Sequence, residues 1–379
     1  MTVLDDTSTV LSPSTVTDNA GPDAGPGFDP NALEAYAGFV AGQATAAMNA
    51  ALVSLGDRLG LWKALRDAGP VTADELAART GLARRYLQEW LSAQAANHFL
   101  GYDPTTDRFA LSTEAAMVLA DDDSAALMIA AFQGAAVVSK GLPTLEHAFR
   151  SGEGVAWHDF DAEFFDVQER FSRPFQRQFL VDVWLAGVPG LHEMLRRGAN
   201  VADVGCGYGN STILMAEAFP KSSFVGFDFH DHSIARARKA ARHAGVANRV
   251  EFEMADAAGF PGEGYDAVMF IDSLHDMGDP VAVARHAREA LRPGGVLVTA
   301  DPVAGDSLAE NLANPMAGMM YAVSTFLCTP TAVAQHGPYS LGAMAGESAI
   351  RQVLIDAGFA RVERVAPEAP MNMIIVGHA

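Results

Sequence analysis

The sequence at Val201–Gly209 is VADVGCGYG, a short apolar run that ends in three glycines at alternate positions. Glycine permits the tight turn between a strand and the next helix, and it lets a ligand approach the backbone closely. A dinucleotide-binding turn prefers the spacing G-x-G-x-x-G, whereas the sixth position here is Asn210. A glycine triplet alone is a weak signal, so the surrounding sequence has to decide the fold and the ligand.

Predicted strands and helices alternate around this turn through the C-terminal half of the chain. Strands are predicted at residues 200–204, 223–227, 249–254, 265–271 and 295–300, and helices at 211–219, 233–244 and 281–291. Such alternation predicts an α/β fold whose mostly parallel sheet has helices on both faces. After a predicted helix at 348–357, the strands 361–365 and 372–376 follow each other directly, which predicts an antiparallel hairpin at the sheet edge.

Aspartates stand at the carboxyl ends of these strands, where open α/β sheets bind ligands. Asp203, two residues before the first glycine, is placed to accept a hydrogen bond from an amino-acid amine or its water shell. Asp228 lies about 20 residues past the loop, where a carboxylate suits a ribose diol. Asp256, followed by Ala257, is placed to receive an adenine amino group, and Asp272 ends the fourth strand. Each aspartate taken singly fits a helix N-cap equally well, but four in register favour a ligand site.

This arrangement resembles the class I S-adenosylmethionine (SAM)-dependent methyltransferases over the last half of the chain. Leu291–Gly295, LRPGG, matches the family's L-x-P-G-G turn before the fifth strand. The resemblance implies a Rossmann-like methyltransferase sheet with an antiparallel last strand, and SAM as the cofactor. The cofactor-binding residues that it implies are Asp203, Gly205, Gly207, Gly209, Asp228, Asp256, Ala257 and Asp272.

The N-terminal region predicts a helical winged-helix domain. Thr72 and Glu75 form a capping box at the start of one short helix, and Gly81 ends it. A second helix is predicted at residues 83–97, and the segment 99–111 reads as a small β-hairpin. Helix-turn-helix followed by a hairpin is the outline of a winged helix.

A winged helix can bind DNA or pair two subunits. The second helix offers Arg84 and Arg85, but its apolar residues Leu87, Trp90 and Leu91 need a core or a partner subunit. The chain carries a formal net charge of −20, which repels phosphate backbones at long range. We therefore expect a homodimer formed through this domain, and no nucleic-acid partner.

The predicted organisation has four parts. Residues 1–30 lack Lys and Arg and are rich in small polar residues, which predicts a disordered tail. Residues 31–120 form the winged-helix domain, and the aromatic-rich residues 121–190 form a helical linker that packs between domains, walls an apolar substrate pocket, or does both. Residues 191–379 form the SAM-binding domain. Its cap insertion, 303–346, contains Met316, Met319, Met320, Tyr321, Phe326 and Cys328, which suit either a core or an apolar lid.

Composition limits the class of protein further. A chain of 379 residues with 49% hydrophobic content can bury a large core. Its two cysteines, Cys206 and Cys328, are far apart in sequence and do not form a disulfide framework. No basic segment followed by an apolar run begins the sequence, and no uninterrupted apolar stretch reaches the length of a membrane span. These features predict a soluble cytoplasmic protein with no membrane partner.

The run Ser273–Pro280, SLHDMGDP, carries the predicted catalytic residues. The winged helix, linker and methyltransferase domain together resemble small-molecule O-methyltransferases of actinobacteria and plants, and this run resembles an actinobacterial winged-helix subfamily. The resemblance implies that His275 is the general base, although those enzymes usually carry Trp where this chain has Met277. An imidazole titrates near neutral pH and can take a hydroxyl proton. Asp276 is expected to orient the ring or hold the loop, and the alternative is that His275 caps the next helix.

Two other clusters resemble metal sites, and neither is predicted to be one. The run His230–His232 lacks a third ligand at useful spacing. Asp272 and Asp301 are similar to the carboxylates of magnesium-dependent catechol methyltransferases, but Pro302 follows Asp301 where an Asn would be needed. We therefore predict no metal.

The sequence as a whole predicts methyl transfer from SAM to a hydroxyl of a small, largely apolar acceptor, either aromatic or another secondary metabolite. Two alternatives remain open. One is an N- or C-methyltransferase of the same fold, because an amine or carbanion needs less help from a base. The other is a SAM-sensing winged-helix transcriptional regulator.

Overall fold

A computed structural model describes Gly27, residues 29–366 and residues 369–379 of the chain. The tail predicted at residues 1–30 lies almost wholly outside these described residues. The chain divides into two compact units, one that ends at Met48 and one formed by Asn49–Ala379. The predicted boundaries at residues 30, 120 and 190 stay predictions.

The N-terminal elements have the predicted winged-helix order. They are α1 (Pro30–Arg58), α2 (Leu61–Arg66), α3 (Ala73–Thr80), α4 (Arg84–Ala96), β1 (Gly101–Asp103), β2 (Arg108–Ala110) and α5 (Thr113–Leu119). The capping box is confirmed, because Thr72 and Glu75 each accept the other's backbone N–H through their side chains. Gly81 ends α3 in the left-handed conformation, and β1 pairs antiparallel with β2. Gly60 adopts φ 71° and separates α1 from α2.

The apolar face of α4 has a core within its own domain. Leu87, Trp90 and Leu91 are 2%, 5% and 0% exposed, and they pack with Trp62 and Leu76. Their burial is therefore explained without a second subunit, and dimerisation through this domain stays a prediction.

The linker is a set of helices that leads into the C-terminal sheet. It contains α6 (Ile129–Val138), α7 (Leu142–Ser151) and α8 (Ala162–Phe179). A π-helical turn, Leu180–Leu185, continues α8 directly. Because a π turn uses more residues than an α turn, it shifts the helix face to which later side chains belong.

The C-terminal half is a seven-stranded sheet with helices on both faces. Its strands are β3 (Asn200–Val204), β4 (Ser223–Asp228), β5 (Val250–Met254), β6 (Tyr265–Ile271), β7 (Leu291–Pro302), β8 (Arg361–Val365) and β9 (Asn372–His378). The surrounding helices are α9 (Leu191–Arg197), α10 (Asn210–Ala218), α11 (Asp231–His243), α12 (Pro280–Ala290) and α16 (Gly346–Asp356). The strand order is β5-β4-β3-β6-β7-β9-β8, and only β9 runs antiparallel to its neighbours on both sides. The predicted fold class is confirmed.

Strand β7 is longer than the predicted strand at 295–300. Leu291 already pairs with Tyr265, and an irregularity in register follows before Val296 pairs with Ala267. The LRPGG turn is therefore accommodated as a bulge inside the ladder rather than as a loop before it.

The segment between β7 and α16 is helical. It contains α13 (Leu308–Asn311), α14 (Ala317–Val323), a π-helical turn at Ser324–Cys328, and α15 (Thr329–Ala334). The expectation that no apolar stretch has the length of a membrane span needs correction. Pro30–Arg58 and Ala317–Ala334 reach that length and apolar composition as helices, a test that core helices of non-membrane proteins also pass.

Arg170 on α8 anchors the linker to the winged-helix domain. Its guanidinium donates to both carboxylate oxygens of Asp57, at 2.6 and 3.0 Å, and to Asp122 at 2.8 Å. The Arg170 and Asp57 side chains are only 18% and 10% exposed. A bidentate, largely buried pair of this kind is strongly coupled to folding, because the loss of one partner leaves the other charge desolvated.

We expect Arg170→Leu to lower the free energy of unfolding by about 2 to 4 kcal/mol, since Asp57 would remain buried without a counter-charge. Denaturant titration measures the change. The control is Arg177→Leu on the same helix, whose partner Asp123 has a 75% exposed side chain. That variant should change stability by less than about 1 kcal/mol. Equal effects of the two substitutions would contradict the anchoring role of Arg170.

Candidate functional site

A cavity opens at the carboxyl ends of β3, β4 and β6, with α8 and α15 above it. Its floor is formed by Gly205, Cys206, Gly207, Tyr208, Asp228, Phe229, Ala255, Ala257, Asp272, Ser273, Asp276 and Met277. Its roof includes Trp157, Phe165, Gln168, Glu169, Ser172, Gln176, Thr331 and Gln335. The strand ends meet here because parallel strands place all their carboxyl ends at one edge of the sheet.

The glycine loop is shaped for close approach. Gly205 has φ 75°, and a Cβ atom at this position would lie 2.6 Å from the Cβ atom of Ser273. No larger residue fits there. At Gly207 the space that a Cβ would occupy has no atom within 4 Å among the described residues, so the backbone faces open cavity. The loop therefore offers its main chain directly to a ligand.

Asp228 holds this loop and faces the cavity. Its two carboxylate oxygens accept backbone N–H groups of Gly207 and His230, each at 2.9 Å. Burial raises the pKa of Asp228, although these hydrogen bonds oppose the shift. Each oxygen keeps a further lone pair, so the carboxylate can still accept from a diol, as predicted.

Asp203 differs from its predicted place. Its Oδ2 accepts from the hydroxyls of Ser211 and Thr212, each at 2.6 Å, and the residue is 1% exposed and does not line the cavity. The carboxylate thus joins the end of β3 to the start of α10. Its Oδ1 has no partner among the described residues, which leaves one acceptor under the loop.

Of the two residues predicted to bind adenine, Asp256 and Ala257, only Ala257 lines the cavity. The Asp256 side chain is exposed, and its Oδ1 accepts the N–H of Ala258 at 2.7 Å as a local turn. Its neighbours Ala255 and Ala257 line the cavity instead. The turn aims the carboxylate outward, so the cavity wall at this point is backbone and methyl groups. Gly209 likewise packs away from the cavity, against Phe252.

Asp272 lies on the cavity wall in a strained conformation. Its φ is 58°, a left-handed value that Asp and Asn tolerate best among residues with a Cβ. Its Oδ1 accepts from Asn372 Nδ2 at 2.9 Å. Burial raises the pKa of Asp272 to about 6, with the charge of His275 opposing and that of Asp301 adding to the shift.

His275 is buried beside the cavity rather than on its wall. It sits in the short helical turn Leu274–Asp276, is 5% exposed, and its Nδ1 lies 2.8 Å from Asp301 Oδ1. Its Nε2 lies 3.4 Å from Asp276 Oδ1, and Asp276 does line the cavity. Burial disfavours the imidazolium, but Asp276 and Asp301 outweigh this and raise the pKa of His275 well above its ordinary value.

This arrangement contradicts the alternative that His275 caps the next helix. The cap of α12 is Asp279, whose side chain accepts from Ala282 N–H. Asp301 is 2% exposed and is hydrogen-bonded to Thr299 and His275. It orients the imidazole.

Cys328 from the cap completes the surroundings of His275. Its thiol is buried, and burial raises its pKa to about 12. One ligand atom from each of His275, Asp276 and Cys328 lies within 4.8 Å of the others. Ligand atoms around tetrahedral zinc are roughly 3.3 to 3.8 Å apart, so the cluster is looser than a formed zinc site.

Several cavity residues have no signal in the sequence. Ser172 and Gln176 come from α8, and Thr331 and Gln335 come from the cap. Gln335 bridges the cap to the catalytic loop, since its amide accepts from Gly278 N–H and donates to the carbonyl of Asp276. The aromatic content of the linker and the cap predicted that these segments would line a pocket. Their polar residues could not be predicted as lining residues, because polar residues at helical spacing are also typical of a solvent-facing surface.

Two family models match parts of the chain. Residues 195–354 match the model of a methyltransferase domain, and residues 47–121 match an Rv2258c-like winged HTH domain. The chain thus combines a methyltransferase domain with an N-terminal winged helix-turn-helix domain, and the predicted resemblance is confirmed.

Curated relatives and solved structures agree with this. A 27-O-demethylrifamycin SV methyltransferase from Amycolatopsis mediterranei is 39% identical over 109 residues, 28% of this chain and 40% of the relative. Methyltransferase GfsG from Streptomyces halstedii is 34% identical over 113 residues, 29% of this chain and 40% of its own. The chain spans less than half the length of the curated relatives it matches.

The whole fold is shared with solved methyltransferases. An O-methyltransferase family protein from Burkholderia thailandensis has a TM-score of 0.66 at 19% identity, covering 87% of this chain and 94% of its own. The human N-acetylserotonin methyltransferase in complex with SAM has a TM-score of 0.67 at 15% identity, covering 94% and 99%. At such identities the likeness establishes the fold.

The raised pKa of Asp272 predicts how the free energy of unfolding depends on pH. Because its pKa is about 6 in the folded protein and about 3.9 when unfolded, deprotonation costs folding free energy as the pH rises from about 4 to 6. Asp272→Asn removes that cost and keeps an acceptor for Asn372. We expect the variant to be more stable by about 1 to 3 kcal/mol at pH 7.5 and unchanged near pH 4.

Denaturant unfolding at both pH values measures this difference. Asp279→Asn serves as a control, since Asn retains a capping oxygen for α12. A pH-independent difference for Asp272→Asn would mean that its carboxylate is not destabilised by burial.

Proposed function

We propose that the protein transfers a methyl group from SAM to a hydroxyl oxygen of a small, largely apolar molecule. The observation that carries the proposal is the hydrogen bond between His275 Nδ1 and Asp301, placed behind Asp276 at the edge of the cavity. A buried carboxylate that holds an imidazole in this way leaves Nε2 as the proton acceptor. The methyltransferase-domain match over residues 195–354 supports the same reaction class.

The residues of the cavity fit SAM. The open backbone at Gly207 and the carboxylate of Asp228 suit the ribose, and the small walls at Ala255 and Ala257 suit a flat adenine ring. When bound, SAM would supply an electrophilic methyl group on its sulfonium, and S-adenosylhomocysteine (SAH) would be the leaving group when the acceptor oxygen bonds to that methyl carbon.

This chain's contribution to the chemistry is to position the acceptor and take its proton. The acceptor hydroxyl loses its proton to Asp276 on the cavity wall, and Asp276 passes it to His275 Nε2, 3.4 Å away. Asp301 keeps Nδ1 protonated and the ring oriented. Alignment of the acceptor with the methyl group supplies the larger part of the rate enhancement.

Other acceptors and other functions have less support. N- or C-methylation does not need a buried carboxylate behind an imidazole. A SAM-sensing DNA-binding regulator needs free cations on α4, but Arg84 pairs with Asp74 at 3.1 Å and Arg85 pairs with Glu89 at 2.5 Å. The formal net charge of −20 also opposes DNA binding. A homodimer and a cytoplasmic location remain predictions that accompany the proposal.

His275→Gln tests the base. Glutamine can still bond Asp301 but cannot accept a proton, so we expect kcat to fall by about 10²- to 10⁴-fold. The dissociation constant of SAM should stay within about threefold, because His275 does not line the cavity. Turnover is measured as SAH release together with a methylated product, using an acceptor found in a panel of phenols.

The control for this substitution is His243→Gln, an exposed residue on α11. It should leave both kcat and SAM affinity unchanged. Unchanged turnover in His275→Gln would remove His275 from the mechanism, and a failure of the wild-type protein to bind SAM would overturn the proposed function itself.

Asp301→Asn tests the pH dependence. Asp272, Asp276, Asp301 and Cys328 surround His275, and Asp301 and Asp276 raise its pKa. Because the base must be neutral to act, wild-type kcat should rise with pH into the alkaline range. Removal of the Asp301 charge lowers the pKa of His275, so the acidic limb of the kcat profile should move to lower pH. An unshifted limb would show that another group titrates.

A further inference from the structure

A second, narrow cavity adjoins the cofactor cavity on the side of Asp272. The two cavities share Ser172, Gln176 and Asp272 as wall residues. The rest of the narrow cavity is mainly apolar, and Trp184 and Met320 contribute to it. A molecule in this cavity would therefore lie against the same aspartate that borders the cofactor.

The narrow cavity shares wall residues with a third cavity, which residues of the cap also line. Pro302, Met320 and Met371 line both the narrow cavity, of about 40 Å³, and the wider one of about 570 Å³. The wider cavity can hold the body of a small molecule, whereas the narrow one admits only a slim end. A molecule that occupied both would have its slim end against Asp272.

Two side chains that line the narrow cavity each carry a polar atom without a partner among the described residues. These atoms are Gln176 Oε1 and Trp184 Nε1. Their residues are only 7% and 2% exposed. Buried polar groups are nearly always hydrogen-bonded, because an unsatisfied one costs about 1 to 3 kcal/mol. Two such groups in one cavity, a donor and an acceptor, therefore point to a ligand that satisfies both.

Helical spacing places Ser172 and Gln176 on one wall of the narrow cavity. Ser172 and Gln176 are four residues apart on α8, as are Phe171 and Phe175, whose rings lie 6.0 Å apart. The π-helical turn after α8 then brings Trp184 to the same cavity. Turns of this kind occur often at functional sites, because they re-aim a side chain without breaking the helix.

We propose that Gln176 and Trp184 determine acceptor specificity by binding a hydroxyl of the methyl acceptor. The oxygen of this hydroxyl accepts a hydrogen bond from Trp184 Nε1–H, and its O–H donates one to Gln176 Oε1. The apolar body of the acceptor extends outward between Met320 and Met371. This inference rests on the proposed methyl transfer and assigns the acceptor class as a flat apolar molecule with a hydroxyl at its narrow end.

Such a site selects strongly for the hydroxyl. An analogue without the hydroxyl leaves both polar atoms buried and unpartnered. Sites that bind a hydroxyl through hydrogen bonds therefore discriminate against such analogues strongly, whereas an apolar pocket discriminates only weakly between ligands of different size. The carboxyl group of Asp272 also lines this cavity, and its negative charge disfavours acceptors that carry a carboxylate at the same position.

The test uses the full chain saturated with SAH, so that no methyl transfer occurs. The probe is 2-naphthol, and naphthalene is the matched ligand without the hydroxyl. The protein has four Trp residues, so ¹H–¹⁵N spectra contain four indole signals. We expect 2-naphthol to shift the signal that is missing in Trp184→Phe, and naphthalene to shift it much less.

Affinity gives the second readout. Gln176→Met keeps the size of the side chain, and Trp184→Phe keeps an aromatic ring although it is smaller. Each removes one hydrogen bond, so each should weaken 2-naphthol binding by about 5- to 30-fold. Neither should change naphthalene binding by more than about twofold. Gln178→Met, at an exposed position two residues further along α8, should leave both affinities unchanged.

The inference is overturned if 2-naphthol does not bind the SAH-loaded protein, if a different indole signal responds, or if the variants do not discriminate the two probes. Those results would mean that water alone satisfies Gln176 and Trp184. The proposed function would still stand if the protein binds SAH and methylates a phenol. A wild-type protein that binds neither SAH nor SAM would instead overturn the proposed function.

Discussion

The hydrogen bond from Ser273 Oγ to the carbonyl of Val204, 2.8 Å long, ties together the two strand ends on which the site is built. It is possible only because Gly205 has no Cβ, which would lie 2.6 Å from the Ser273 side chain. The bond sets the loop after β3 against the loop after β6. The cofactor binding and proton transfer that we propose therefore depend on the same close contact, since the first loop borders the cavity at Gly207 and the second carries His275.

The buried carboxylates around His275 affect the protonation of its imidazole. Asp301 and Asp276 favour the imidazolium, whereas burial opposes it. These charges hold the buried ring, and Asp276 also lines the cavity. For the proton acceptor that we propose, this arrangement excludes competing water and fixes the orientation of the ring before the methyl acceptor binds.

Helix α8 links the winged-helix domain to the cavities at the edge of the C-terminal sheet. Arg170 pairs with Asp57 near its middle, Gln176 lines both cavities one to two turns later, and Trp184 follows in the π-helical turn. The helix that pairs with the winged-helix domain therefore also forms a wall of the cavity that we propose for the acceptor. In the winged-helix domain, Arg84 and Arg85 of α4 lie in ion pairs with Asp74 and Glu89.

The sequence by itself determined the order of strands and helices, the glycine loop, and the aspartates at strand ends, because these follow from periodicity, glycine conformation and parallel pairing along neighbouring segments. It also singled out His275 and Asp276. Only the tertiary structure decided that Asp203 and Asp256 turn away from the cavity and that His275 lies behind Asp276. It alone brought Gln176 and Trp184 to Asp272. The physical reason is that side-chain direction depends on packing between elements remote in sequence, which no local pattern encodes.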